Sequence, residues 1–363
     1  MPDERMNHGD AVLAVESAIA LVDGQKGELL YRGHSIHDIA EELSFPQTVF
    51  LLWRARLPSA EESLAFGDEL ATLRGLPDAV LELLMLTPTY AHPTATLRTA
   101  VSMLACMDPD QDDTGPEGNE MKAKKLLAQL PTIVAAHHRI RQELEPIAPS
   151  AKLSHAANYL HMLNGGTPDE QSVRALSVGM NLYAEHELNA STFTARIVVG
   201  TLSDLYSAVV AAISALKGPL HGGAVDDVMR MLQRVGSESR VARYLDMILS
   251  EGLRVPGFGH PVYQFEDPRA AHMKAVLEKL GGEADRWAGL VDELAAYMFE
   301  RRSLLPNVDL YAAPVLYQLG FPVELFTSVI ASAQIAGWAA HILEQYGNNR
   351  MFRPRTEYIG PRL

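Results

Sequence analysis

The sequence predicts an all-α protein, on three observations. Apolar residues recur at helical spacing along almost the whole chain. Gly and Pro punctuate these segments, with Ser, Asp or Asn at their starts. Strand-like alternation is confined to one short region, and nothing alternates as βαβ.

That region is "AIALVDGQKGELLYRG", residues 18–33. Two short apolar runs flank Asp23-Gly24-Gln25-Lys26-Gly27, which predicts a small β-hairpin. Next, "SIHDIAEEL" carries Ser35 as an N-cap, and "FPQTVFLLWRARL" holds Pro46 in a first turn. "PSAEESLAFGDELATLRG" has a capped start and a Gly75 stop, and "HPTATLRTAVSMLACM" is amphipathic. After the acidic loop "DPDQDDTGPEGNE", helices are predicted over 121–144, 152–164, 168–189, 191–199, 202–216 and 223–235. Further helices are predicted over 237–251, 268–280, 284–302, 309–319 and 322–346.

With 363 residues, 47% of them hydrophobic and 21% charged, the chain can bury two ordinary globular cores. Its net charge of −14 argues against broad binding to nucleic acid or an anionic membrane, though a local Arg cluster can still hold a small anion. One cysteine, Cys106, excludes an intrachain disulfide and suits a reducing compartment. The first twenty residues lack the pattern of a signal peptide, and no apolar run is read as approaching the ~18 residues of a membrane span. A cytoplasmic location is expected.

Three loops share a pattern of Gly or Pro, a titratable side chain, then a helix: "KGPLHGG" with His221, "VPGFGHPVY" with His260 and "LPNVDLYAAP" with Asp309. Each alone reads equally as a capped helix start. Together they suit one reaction. Removing a proton from a thioester methyl group is uphill for a carboxylate by about 15 pKa units, about 20 kcal/mol. The developing enolate oxygen therefore needs a preorganised donor. A histidine at a helix start, its pKa depressed by the dipole, can be that neutral donor, a role known from triosephosphate isomerase. A second histidine can serve the carbonyl being attacked.

The paired histidines His34/His37 and His137/His138 lack a third ligand or a Cys cluster, so they are read as exposed or capping and no metal site is expected. Neither "GGTPDE" nor "LHGG" has nucleotide-loop context, and Trp53, Trp338 and the methionines are read as helix-interface fillers.

"AEHELNASTFTAR", "ALKGPLHGGA", "VPGFGHPVYQFEDPRA" and "PNVDLYAAPVLYQLGFP" occur in an order and at separations that resemble the citrate synthase family. "SHAANYLHMLNG" and "GWAAHILEQYGNNRMFRPR" are similar to its shorter bacterial members, which include 2-methylcitrate synthases. The resemblance runs from about residue 15 to the end. It implies a two-domain helical fold: a large domain of residues 1–218 plus 323–363 and a small one of 219–322, with the site in the cleft. Hinges are expected near Gly218-Pro219 and Gly320-Phe321-Pro322.

By position, the resemblance makes Asp309 the base, His221 the thioester donor and His260 the group on the oxaloacetate carbonyl. It implies that His186, Arg269 and Gln334 hold the keto acid, and that Arg353 in "FRPR" arrives from a second copy in a homodimer. Arg254, Pro256, Gly257 and Gly259 would face the CoA of acetyl-CoA or propionyl-CoA. The acyl-CoA is a co-substrate, and no tightly bound cofactor is expected. On spacing alone, His186 reads as a packed helical histidine and Arg269 as a solvated one.

The chain departs from the family at Gln334, where most members carry Arg, at Pro261 and Gln264 in "GHPVYQ", and at Val225 in "HGGAVDD". Four readings follow: a citrate synthase, a 2-methylcitrate synthase, a paralogue acting on another 2-keto acid, or a non-catalytic CoA or dicarboxylate binder.

Overall fold

The computed structural model describes residues 15–361. Strands β1 (Ala20–Asp23), β2 (Glu28–Tyr31) and β3 (His34–Ser35) form one antiparallel sheet in that order, with Ala20 opposite Tyr31 and Tyr31 opposite His34. The Asp23 carboxylate accepts from Gln25 N and Lys26 N and shapes the first turn. The expected hairpin gains a third strand because Arg32 and Gly33 both take positive φ and fold the chain back.

Many of the helices start on side-chain caps. α1 (Ile36–Ile39) is capped by Ser35, and α2 (Phe45–Arg54) and α3 (Ala60–Thr72) open on the capping boxes Ser44/Gln47 and Ser59/Glu62. α4 (Asp78–Leu86) precedes α5 (Pro93–Met107), whose cap is the His92 ring accepting from Thr94 N. α6 (Pro116–Arg141) starts five residues before the predicted 121 because Gly115-Pro116 supplies a start inside the acidic loop. α7 (His155–Asn164), α8 (Glu170–Tyr183), α9 (Ala190–Gly200) and α10 (Leu205–Leu216) are capped by Ser154, Asp169, Asn189 and Asp204. α11 (Ala224–Val235), α12 (Val241–Ser250), α13 (Ala270–Leu280), α14 (Glu283–Arg302), α15 (Val308–Gln318) and α16 (Phe326–Gly347) complete the described chain.

α16 is the axis of the core, packed by α2, α6, α8, α9 and α10. Its Ala and Gly positions let those neighbours approach closely, and Trp338 is fully buried. The helical segment Val323–Gly347 is long and apolar enough to cross a membrane, contrary to the sequence reading, but 94% of its apolar window is buried inside the protein. Its apolar character on every face reflects enclosure by other helices. His137 and His138 are likewise buried, not exposed, and burial pushes the His137 ring down to about 4.

A second group of helices, α11, α13, α14 and α15, packs on itself and meets α8 and α16 along one side. The site lies on that side.

Candidate active site

A cavity of about 810 Å³ opens where the α10–α11 turn, the loop before α13 and the start of α15 face α8, α9 and α16. Its walls include His186, His221, His260, Arg269, Asp309 and Gln334, together with Arg254, Pro256, Gly257 and Gly259. Residues from six separate stretches thus meet at one cavity. Arg353 does not line it. That side chain is exposed on a tail held to α9 by Phe352, whose ring lies 5.6 Å from Phe193.

His221 sits in a tight turn closed by Gly222 N donating to Leu216 O at 2.9 Å. A Cβ at residue 222 would lie 2.4 Å from that same carbonyl oxygen, so the turn requires glycine. The ring precedes the helix, since the N-cap of α11 is Gly223. Burial lowers its pKa and favours the neutral ring. Nε2 accepts from Ser191 N at 3.3 Å and lies 2.9 Å from Ser191 Oγ. The proton therefore resides on Nδ1, which has no protein acceptor among the described residues.

His260 is fixed in the opposite tautomer. Its Nδ1 accepts from Val262 N at 3.0 Å and Tyr263 N at 3.1 Å, leaving Nε2–H as the outward donor. Burial first, then the Arg269 charge, pushes this ring down to about 4, so it acts as a neutral donor. Glycine geometry sets the loop. Gly257 takes φ +85°, and a Cβ there would lie 2.9 Å from Leu310 Cδ1. Asn307 stitches this loop to α15: its N donates to Gly257 O and its Nδ2 to Gly259 O, both at 2.9 Å.

The same Asn307 caps α15 by accepting from Asp309 N at 3.0 Å. Asp309 is the second helical residue, and burial raises its pKa while the Tyr183 hydroxyl, donating to Oδ1 at 2.6 Å, opposes that rise.

His186 lies in the loop after α8, not in a helix as the spacing suggested. α8 stops at Tyr183 because the Tyr31 hydroxyl donates to Asn181 O and Glu185 O, and Glu187 takes φ +57°. The His186 Nε2 lies 3.2 Å from Tyr263 Oη, and its ring meets that of His260 edge-on with 5.1 Å between centroids. Burial and the nearby Arg269 hold it well below the usual histidine range.

Arg269 is buried, not solvated. It grips Asp267 bidentately, Nε to Oδ1 and Nη2 to Oδ2, both at 2.9 Å. Asp267 Oδ2 also accepts from Val308 N at 3.0 Å, tying this arginine to the start of α15. Gln334 is buried, with Oε1 3.3 Å from Ser191 Oγ. Its amide nitrogen makes no hydrogen bond to a described residue and can donate into the cavity.

Tyr183, Ser191, Tyr263, Asp267 and Asn307 were missed as site residues, although all but Tyr183 fall inside quoted motifs. Sequence carries no local sign that Tyr183 meets Asp309. Val22 and the hairpin turn were missed as well: Gly24 O accepts from Gln264 N at 2.9 Å, so the turn rests on the His260 loop. Gln264 makes that contact through its backbone, its side chain being exposed, and Val225 is a buried packing residue.

The family model "Citrate synthase, C-terminal domain" matches residues 9–355. A citrate synthase of Haloferax volcanii is 43% identical, covering 97% of this chain and 94% of that protein. A 2-methylcitrate synthase of Mycobacterium tuberculosis is 42% identical, covering 99% and 92%. The citrate synthase of the archaeon Thermoplasma acidophilum, solved with carboxymethyl coenzyme A and oxaloacetate, superposes with a TM-score of 0.91 at 27% identity, covering 97% and 95%. Fold, motif order and these likenesses agree: the chain belongs to the citrate synthase family.

Proposed function

We propose that the protein condenses acetyl-CoA with oxaloacetate to give citrate and CoA. The observation that carries this reading is the pair of neutral histidine donors, His221 through Nδ1 and His260 through Nε2, facing one cavity with the carboxylate of Asp309. Asp309 takes the acyl α-proton while the His221 N–H stabilises the developing enolate oxygen. The His260 N–H polarises the keto carbonyl as the carbon–carbon bond forms, and thioester hydrolysis then releases the product. His186 and Arg269 hold the keto acid, and Gln334 donates one hydrogen bond where an arginine would bring a charge. Arg254, Pro256, Gly257 and Gly259 face the CoA.

Segment 219–322 closes over residues 1–218 and 323–363, expelling water before enolisation. Gly320, at φ +91°, supports a hinge there. The active form is a cytoplasmic homodimer in which Arg353 enters the partner's cavity. That assignment suits a tail arginine exposed and outside its own site. Propionyl-CoA as acyl donor is a second reading, favoured by the 42% identity to a 2-methylcitrate synthase.

CoA release with oxaloacetate and either acyl-CoA tests the function. Turnover that Asp309→Asn reduces by about 10²–10⁴ supports it. Absence of turnover with both acyl-CoAs, alongside turnover with another 2-keto acid, overturns oxaloacetate as the substrate. Light scattering tests the dimer: a strict monomer overturns the role of Arg353. If Arg353→Ala and Asp309→Asn chains regain activity when mixed, the site is shared.

A further inference from the structure

The group that holds the base lies outside every motif. Tyr183, the last residue of α8, donates to Asp309 Oδ1 at 2.6 Å, and the Arg269 guanidinium lies 6.0 Å from the centroid of its ring. One side chain therefore touches both the carboxylate that takes a proton and the arginine assigned to the keto acid.

We infer that Tyr183 is a positioning residue for the base: its hydroxyl fixes which oxygen of Asp309 faces the acyl-CoA and sets how readily that oxygen takes the proton. This rests on the reading of Asp309 as the base.

The geometry leaves little choice of orientation. Asp309 N is tied to Asn307 Oδ1 at 3.0 Å, so the start of α15 is fixed before the side chain is considered. With Oδ1 occupied by Tyr183, Oδ2 is left without a protein donor among the described residues. The α-proton then passes from the acyl carbon to Oδ2, while the tyrosine keeps its own proton throughout. It can do so because burial and the adjacent carboxylate hold the phenol far above its ordinary range.

Other charges near Asp309 are few. Asp267 and Arg269 face it from the loop before α13 and cancel much of one another, being locked together bidentately. His186, His221 and His260 share the cavity but are held neutral by burial. Tyr183 is thus the hydrogen-bond donor most directly able to tune this carboxylate. A donor to the ionised form favours it, so the hydroxyl trades some base strength for ionisation and a fixed aim.

The test uses the full-length enzyme and three forms of residue 183. Tyr183→Phe removes the donor but keeps the ring that faces Arg269. The acid limb of kcat/KM for acyl-CoA should move to higher pH by about one unit, with kcat falling about tenfold and oxaloacetate binding unchanged. Fluorotyrosine at 183 is near-isosteric and a stronger donor, so the limb should move the other way. It also covers the case in which the Phe variant folds poorly.

A loss of kcat in Tyr183→Phe with both limbs unmoved would mean the hydroxyl is merely structural, and the inference falls. The two levels separate through Asp309→Asn. If that variant retains full turnover, the base assignment itself fails. If it abolishes turnover while the residue-183 variants leave the profile in place, only the inference fails.

Discussion

The Nε2 of His221 lies 2.9 Å from Ser191 Oγ, at the start of α9. That hydroxyl also lies 2.8 Å from Asn189 Oδ1 and receives the Trp338 indole N–H at 3.1 Å, so α9 and α16 both brace the group that holds the ring. Ser191→Ala keeps the backbone N–H that bonds Nε2 but frees the ring to rock. The expected outcome is a kcat lower by about tenfold, ~1.4 kcal/mol, with KM for oxaloacetate within about twofold. Steady-state kinetics check this, and an equal rise in KM would instead place Ser191 in keto acid binding.

Gln334 lines the cavity and carries no charge. Gln334→Arg should lower KM for oxaloacetate by about tenfold through a charge-assisted contact. Activity on 2-keto acids lacking the second carboxylate should not gain. An unchanged KM for oxaloacetate would show that this position does not meet a substrate carboxylate.

Gly24 lets the hairpin turn touch the His260 loop. A Cβ there would sit 2.0 Å from Val262 O, a clash with backbone that cannot be relieved by a rotamer. Gly24→Ala should push the turn off the loop and weaken the two N–H donors on His260. Isothermal titration should then show oxaloacetate binding weakened several-fold, with Tm reduced by only a few degrees. Full retention of affinity would assign the contact to packing alone.

Asp226, buried at the start of α11, has its pKa raised to about 7 by burial. Its folded value lies above its unfolded one, so the native state holds a proton the unfolded chain has lost. Stability from this group is present below pH ~4 and lost as pH rises towards 7. Asp226→Asn should therefore stabilise the protein at pH 8 by about 2–4 kcal/mol and have little effect at pH 4. Buried His137 and His155, lowered to about 4 and about 3, slope the other way: their contribution is lost as pH falls from 6.5. Urea melts at pH 4, 6 and 8 separate the two. A gain at pH 4 equal to that at pH 8 would refute the Asp226 assignment.

Much of the site was legible because its backbone geometry demands particular residues. Gly222 and Gly257 are needed for close approach, Asn307 for a cap, and the titratable groups lie within three residues of them. Such local demands leave a signature in sequence. Tyr183 and Ser191 left none, because their partners lie 126 and 30 residues away and any helix end could supply a hydroxyl.

Sequence by itself determined the helical class and where most of the helices lie, and the family resemblance singled out His221, His260 and Asp309. Cap chemistry and 3.6-residue periodicity are local and survive in one dimension. Tertiary structure decided the chemical state of those groups. Burial lowers the His221 pKa and favours its neutral form. Backbone donors from Val262 and Tyr263 select the His260 tautomer, and a tyrosine from α8 aims Asp309. Desolvation and hydrogen-bond direction depend on which surfaces meet, and that is settled only when α8, α9 and α16 close against the start of α15.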